Sequence, residues 1–270
     1  MILFVFEGKD DEPRIYKTLK HLFFNKNAEE IIICYCNNIY SLYKKMKEYD
    51  VLGGAADIVS VLKEEAAKHP KNPYGLSNIR YSYQVSETYL FFDYDIKRQD
   101  KSNRLTVKEQ NEQIAELLEY FCNETDKGKL YINYPMVESF RYFKKPLPDY
   151  DYKDYTVQLF IGRKFKEIAG RDSYYKNFDR LCFALNKHRE LKLPNETKQK
   201  EIRENWEHIK TLNVMKANLV SKGSFSMPES KADISQSNIL AGQLLNYVKN
   251  RKEIAILNSF ALFLYEYLRG

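Results

Sequence analysis

The chain opens on five apolar residues, Ile2-Leu-Phe-Val-Phe6, that run straight into Glu7-Gly8. An unbroken apolar run stopped by a glycine and followed at once by helix-compatible sequence predicts a strand buried on both faces in a parallel sheet. Ile15, Leu19, Leu22 and Phe23 then recur at helical spacing, with Asp10 or Asp11 as cap and Pro13 in the first turn, so a helix is expected over 11–24. Asn25 to Asn27 end it, and Glu30-Ile-Ile-Ile-Cys-Tyr-Cys36 is a second buried strand. Strand, helix and strand joined by short links read as a right-handed parallel unit.

Ile39 to Lys47 and Ala55 to Lys68 carry helical patterns, split by Val51-Leu-Gly-Gly54, and His69-Pro-Lys-Asn-Pro-Tyr-Gly75 reads as loop. Ser86 to Asp95 is a third strand whose apolar run, Tyr89 to Phe92, stops abruptly at Asp93-Tyr94-Asp95. A helix over Thr106 to Cys122 puts Ile114, Leu117, Leu118 and Phe121 on one face, and Leu130 to Asn133 is a short fourth strand. This alternation predicts an α/β fold, a central mainly parallel sheet flanked by helices.

After residue 140 the pattern changes. Arg141 to Thr156, rich in Tyr, Lys, Asp and Pro, reads as an exposed irregular connection. Leu159 to Ile168, Tyr174 to Lys187, Glu196 to Leu219 and Asn238 to Leu268 read as helices, with Val220 to Pro228 a linker between the last two. The expected organisation is an α/β domain over 1–145 and a helical region over 146–270. The last helix, with Ile254, Ile256, Leu257, Phe260, Leu264 and Leu268, is apolar over a wide arc and is read as core or as a homodimer interface.

Composition narrows this picture only modestly. With 270 residues the chain can bury a full core, and 30% charged with 14% aromatic residues excludes a disordered tail. A net charge of +6 suits an anionic partner, although the 43 basic residues are interspersed with 37 acidic ones. Cys34, Cys36, Cys122 and Cys182 form neither a disulfide framework nor a zinc pattern, and are read as buried thiols in a reducing compartment. His21, His69, His188 and His208 lack ligand spacing. The first apolar run is too short for a signal peptide or a membrane span, so a soluble, cytoplasmic protein without membrane association is expected.

The candidate chemistry lies at strand ends. Glu7, the pair Asp93 and Asp95, and Glu138 just past the fourth strand each follow an apolar run, and Asp11 stands four residues after Glu7. Acids after strands commonly cap helices or stay solvated. Acids at three strand ends of one parallel sheet, about 4.8 Å apart per strand, are harder to assign to capping alone. Clustered carboxylates without His or Cys suit Mg²⁺ or Mn²⁺, which polarises a phosphoryl group and activates water.

These segments resemble a known family. Phe6-Glu7-Gly8-Lys9-Asp10-Asp11 and Phe91-Phe92-Asp93-Tyr94-Asp95 look like the Glu-Gly and Asp-x-Asp motifs of the Toprim fold, found in topoisomerases, primases and OLD-type and RNase-M5-type nucleases. Asn133-Tyr-Pro-Met-Val-Glu138-Ser-Phe140 is similar to the Asn-Pro-x-x-Glu segment of Toprim-like proteins of bacterial anti-phage defence, the likeness being greatest to the stand-alone Toprim effector of PARIS-type systems. The resemblance covers residues 1–145. It implies a divalent-metal-dependent nuclease acting on DNA or RNA, working with an ABC-type ATPase partner.

By the same resemblance Glu7 acts as general acid/base or metal-poising carboxylate, Asp93 and Asp95 hold the metal, and Asp11 and Glu138 complete the site. Asp11 stands where OLD-type nucleases usually carry Glu, and nothing resembles the gate domains of a topoisomerase. Toprim nucleases often bring a lysine near the metal, for which Lys164 and Lys166 are the candidates. Lys97, Arg98, Lys101 and Arg104 after the Asp-x-Asp, and Arg141, Lys144 and Lys145 after Glu138, are candidates for phosphate contacts. The Tyr-rich run Tyr142 to Tyr155 suits packing more than base stacking. A non-catalytic module that binds nucleic acid or an ATPase is the competing expectation.

Overall fold

The structure is a computed structural model that describes residues 1–24, 29–51, 53–54, 57–67, 82–98, 104–175, 183–185 and 193–268. The expected loop at 69–75, Lys101, Cys182, His69, His188 and most of the helix expected at 174–187 lie outside the described residues. The chain forms two compact units. One comprises Met1–Pro13, Asn27–Asp93 and Arg98–Tyr131, the other Arg14–Lys26, Tyr94–Lys97 and Ile132–Gly270. The units alternate along the chain, whereas the sequence suggested a single cut at 145.

The first unit is built on a five-stranded sheet in the order β2-β1-β3-β5-β4. Its strands are β1 (Ile2–Phe6), β2 (Glu30–Cys34), β3 (Glu87–Asp93), β4 (Cys122–Asn123) and β5 (Gly128–Asn133). β1 runs parallel to β2 and to β3, with Phe6 opposite Cys34 on one side and Phe91 on the other. All five residues of β1 are buried, as a central parallel strand requires. Residues two apart share a face, and that parity builds an aromatic ladder across the strands. Phe4 stacks on Tyr89, Phe6 packs on Phe91 and Phe91 stacks on Tyr131, each pair with ring centroids 5.3 Å apart.

Helices α1 (Asp11–Phe23), α2 (Ile39–Glu48), α3 (Ile58–Ala67) and α4 (Val107–Tyr120) match the expected helical stretches closely. Local chemistry explains their ends. The Asn38 side chain accepts the Ser41 N–H at the start of α2, and Thr106 and Glu109 form a reciprocal capping box at α4. α2 and α4 are tied by Glu116, which accepts from Tyr43 Oη at 2.6 Å and Lys47 Nζ at 2.5 Å. The hydrogen bond from Lys47 holds the Glu116 carboxyl below its ordinary value.

The antiparallel β4–β5 hairpin was not anticipated, because two residues are too few to show any alternation. Two of the thiols read as buried are exposed. Cys36 lies beyond the end of β2 in left-handed backbone, φ 57°, and Cys122 begins β4.

The second unit is organised on α6 (Glu196–Lys222), preceded by β6 (Thr156–Gln158) and α5 (Lys164–Arg171). After it come α7 (Gln236–Gln243), a π-turn at Leu244–Val248, α8 (Lys249–Arg251), β7 (Glu253–Ala255) and α9 (Ser259–Tyr267). Trp206 on α6 is wholly buried, donates to Phe183 O at 2.8 Å and stacks on Phe140. The helix expected over Leu159–Ile168 begins later: residues 159–163 form a turn after β6, and α5 runs from Lys164 to Arg171.

The single helix expected over Asn238–Leu268 is broken. Lys252 adopts φ 55°, and β7 pairs antiparallel with β6, Val157 opposite Ile254. Gln243 secures the break, donating to Ala255 O at 2.7 Å and accepting from Ala255 N at 3.0 Å. A long-range backbone pairing thus overrides local helical periodicity. Ile254, Ile256, Leu257, Phe260 and Leu264 are buried within the chain, so its own core accounts for this apolar arc.

Arg141–Thr156 is not an exposed connection. It follows a 3₁₀ turn at Val137–Arg141, holds another at Tyr150–Asp154, and buries Tyr142, Phe143, Tyr152 and Tyr155 while leaving Tyr150 exposed. Phe143 packs on Tyr152 at 4.7 Å, and Tyr152 meets Tyr155 edge-on. Beneath them lies Lys216, with no exposed surface, donating to Tyr152 O at 2.7 Å and Tyr155 O at 2.6 Å, its Nζ 4.3 Å from the Tyr152 ring centre. Desolvation holds the Lys216 ammonium well below its ordinary 10.5, with Asp154 opposing the shift.

Two expectations follow. A Cβ on Gly242 would lie 2.1 Å from Val220 O, so Gly242→Ala forces α7 off α6 and lowers stability by about 2–3 kcal/mol, read as a fall in the thermal midpoint. Below the depressed value of Lys216 the folded state buries a charge; between that value and 10.5 the unfolded chain binds more protons, so stability rises with pH. The stability of the wild type relative to Lys216→Met, measured by urea unfolding, is therefore expected to increase from neutral pH toward pH 10.

Candidate functional site

In the first unit the register of the sheet brings Glu7 and Asp93 together. Because Phe6 pairs with Phe91, the residues that follow leave the sheet on the same side, and Glu7 N donates to Phe91 O at 3.0 Å. Asp93 N in turn donates to Glu7 Oε2 at 3.0 Å. One carboxylate oxygen of Glu7 is thus aimed by the backbone of the strand that carries Asp93. Asp93 is almost fully buried and Glu7 half-buried. Cys36 N donates to Glu7 O, closing the same strand end from the β2 side.

Asp11 opens α1 and is half-buried. Its neighbour Glu12, not singled out from the sequence, is the buried acid of that turn. Glu12 Oε1 accepts the Gly8 N–H at 3.0 Å, and a Cβ on Gly8 would lie 2.5 Å from its other oxygen. Gly8 is therefore small to admit the Glu12 carboxylate, and its i, i+4 spacing from Glu12 was the readable signal.

In the second unit Asp95 is half-buried, and a Cβ on Gly162 would lie 3.8 Å from its Oδ1. Glu138 is buried in the 3₁₀ turn after β5, its Oε1 paired with Lys166 Nζ at 2.8 Å. Its Oε2 is buried and has no hydrogen-bond partner among the described residues. Helical phase decides between the lysines. Lys166, on the second residue pair of α5, reaches Glu138, whereas Lys164 opens the helix and is exposed. Asn133 is also wholly buried, its Oδ1 accepting from Ser259 N at 3.0 Å and Ser259 Oγ at 2.7 Å.

No protein-family model, no curated protein and no solved structure matches the chain.

The candidate phosphate-contact residues differ in character. Lys97 and Arg98 are exposed, and Arg141 is half-buried. Lys144 is exposed, with its Nζ 4.8 Å from the Tyr155 ring centre and 5.8 Å from that of Tyr142. Its ammonium is therefore seated on aromatic faces.

Among the described residues no three His, Cys, Asp or Glu side chains stand close enough together to form a metal cage by themselves. The donors present are nonetheless those a hard divalent cation takes. They are carboxylate oxygens only, Glu7 and Asp93 in the first unit and, separately, Glu138 in the second, whose Oε2 is buried with no hydrogen-bond partner among the described residues. Mg²⁺ commonly needs just one or two carboxylates, its remaining ligands being water and substrate phosphate.

The Glu138–Lys166 pair is directly testable. Lys166→Ala leaves a buried carboxylate unpaired and is expected to cost about 1 kcal/mol, discounted because Lys166 is half exposed. Lys164→Ala is expected to change stability by less than about 0.5 kcal/mol. Thermal unfolding of both variants, repeated in a Glu138→Gln background where the Lys166 effect vanishes, checks the assignment.

Proposed function

We propose that the chain is a Toprim-like nuclease that hydrolyses phosphodiester bonds of DNA or RNA with Mg²⁺ or Mn²⁺, and that it serves as an effector of bacterial anti-phage defence. The observation that carries the reading is the Glu7–Asp93 pair, two acids at adjacent parallel strand ends with one oriented by the backbone of the other. Ligands of open α/β sheets bind at this end of the strands. The likeness of residues 1–145 to Toprim nucleases supplies the reaction class, and that of residues 133–140 to defence effectors supplies the biological setting and an ABC-type ATPase partner.

In this reading Glu7 and Asp93 would hold the cation, with water and substrate phosphate completing its ligands, and Asp11, Asp95 and Glu138 carry the same assignment by likeness alone. When bound, the cation supplies Lewis acidity toward a phosphoryl oxygen and acidifies its water. Glu7, fixed by the Asp93 N–H, is set to accept a proton from the attacking water, since one of its oxygens is already oriented. Lys166, paired with Glu138 in the second unit, carries the role of a phosphate-facing lysine by likeness alone, and Lys97 and Arg98 are exposed positive charges on the loop that follows the Asp-x-Asp.

The test incubates purified protein with labelled plasmid DNA, single-stranded DNA and total tRNA in Mn²⁺, beside Glu7→Ala and Asp93→Ala. Cleavage by the wild type is expected to fall about 100-fold or more in either variant. Equal cleavage by Asp93→Ala removes the site as assigned. Calorimetry with Mn²⁺ alone separates this reading from a non-catalytic binding module: binding lost in Glu7→Ala supports the nuclease, and absence of binding by the wild type supports the module.

A further inference from the structure

Glu138 sits in a turn that cannot hold itself. The 3₁₀ segment Val137–Arg141 is short, and Met136 before it makes no side-chain cap hydrogen bond. Its orientation must therefore be set from outside, and the hydrogen bonds around it converge on one residue, Asn258. This side chain has no exposed surface. Its Nδ2 lies 3.2 Å from Val137 O and 3.1 Å from Ser139 Oγ, the residues on either side of Glu138, and 3.2 Å from Asn133 Oδ1. Two amide protons thus serve three acceptors, all on the segment that carries the candidate carboxylate.

The clamp is itself anchored. Asn258 N donates to Asn213 Oδ1 on α6 at 2.7 Å, and Asn258 Oδ1 caps α9 by accepting Ala261 N at 3.3 Å. The neighbours reinforce it. Tyr134 and Leu257 exchange backbone hydrogen bonds at 2.9 and 3.0 Å, and Ser139 Oγ donates to Leu257 O at 3.1 Å. Segment 257–259 is thereby laid along 133–139, with the Asn258 amide bonded to the residues on either side of Glu138.

We propose that Asn258 is a positioning residue for Glu138, acting through the backbone and hydroxyl groups that flank it. The consequence rests on the nuclease reading: a residue beyond 250, outside the Toprim-like stretch, holds Glu138, one of the carboxylates that reading assigns. Chemistry supplies a sharp variant. Asp caps a helix as well as Asn does, so Asn258→Asp keeps the α9 cap and the bond to Asn213. It replaces the Nδ2 donor by an oxygen facing Val137 O and Asn133 Oδ1, which turns the clamp from attractive to repulsive.

Two measurements decide the matter. The first needs no activity: a double-mutant cycle of Lys166→Ala and Glu138→Gln, read by urea midpoints, in the wild-type and Asn258→Asp backgrounds. Coupling present in the wild type and lost in Asn258→Asp is expected; coupling of equal size in both backgrounds overturns the proposal. The second is Mn²⁺-dependent cleavage, where Asn258→Asp is expected to lower kcat about 10- to 100-fold with KM changed less than about threefold. Val248→Ala, a core truncation in the same unit, is the control for lost stability. An equal fall of kcat in both variants at matched folded fractions overturns the positioning role. A wild type that neither cleaves nor binds Mn²⁺ removes the nuclease reading instead, and the coupling measurement then judges Asn258 alone.

Discussion

The parallel register between β1 and β3 is the constraint on which the candidate chemistry depends. Phe4 against Tyr89 and Phe6 against Phe91 fix that register through ring packing. A slip of one residue would move every side chain to the opposite face of the sheet. The acids beyond the ladder inherit its precision. Glu7 and Asp93 leave adjacent strands at the same level, and the Asp93 N–H donates to the Glu7 carboxylate. The apolar strands are therefore the jig in which a polar pair is set, and burial of the aromatic residues supplies the free energy that holds two acids near one another.

A second constraint governs the C-terminal unit: buried polar groups must find partners. Lys216 has no exposed surface, and two carbonyls and the Tyr152 ring receive it. Asp149, almost fully buried, accepts Lys144 N, Lys145 N and Tyr155 Oη with one oxygen. Asn133, Asn213 and Asn258 are linked through Asn258 N and Nδ2. Such networks give a segment one orientation where apolar packing would tolerate several, which suits a region carrying a buried carboxylate. Glu138, like Asp149, keeps one buried carboxylate oxygen that has no hydrogen-bond partner among the described residues.

Legibility in the sequence followed the range of the forces involved. β1, α1, α2, β3 and α4 were readable because their apolar spacing repeats within the element, and the acids were readable because apolar runs end abruptly at Glu7 and Asp93. The connection Arg141–Thr156 was misread as exposed, since 3₁₀ turns have no long period, whereas its tyrosines were expected to pack and do so on one another and on Lys216. The helix expected over Asn238–Leu268 failed at β7, whose strand character comes from Thr156–Gln158, about a hundred residues away in the chain. Glu12 announced itself only by its spacing from Gly8.

The sequence by itself determined the α/β class and the positions of the principal strands, because burial of a regular apolar pattern is a local decision. The tertiary structure alone decided which groups meet. It placed Asp93 N on Glu7, chose Lys166 over Lys164 for Glu138, and brought Asn258 to the residues flanking Glu138 from 119 to 121 positions away. Hydrogen bonds and ion pairs of that kind depend on angles and distances of a few tenths of an ångström. Those are fixed only once the whole chain has packed, so no local pattern of residue types records them in advance.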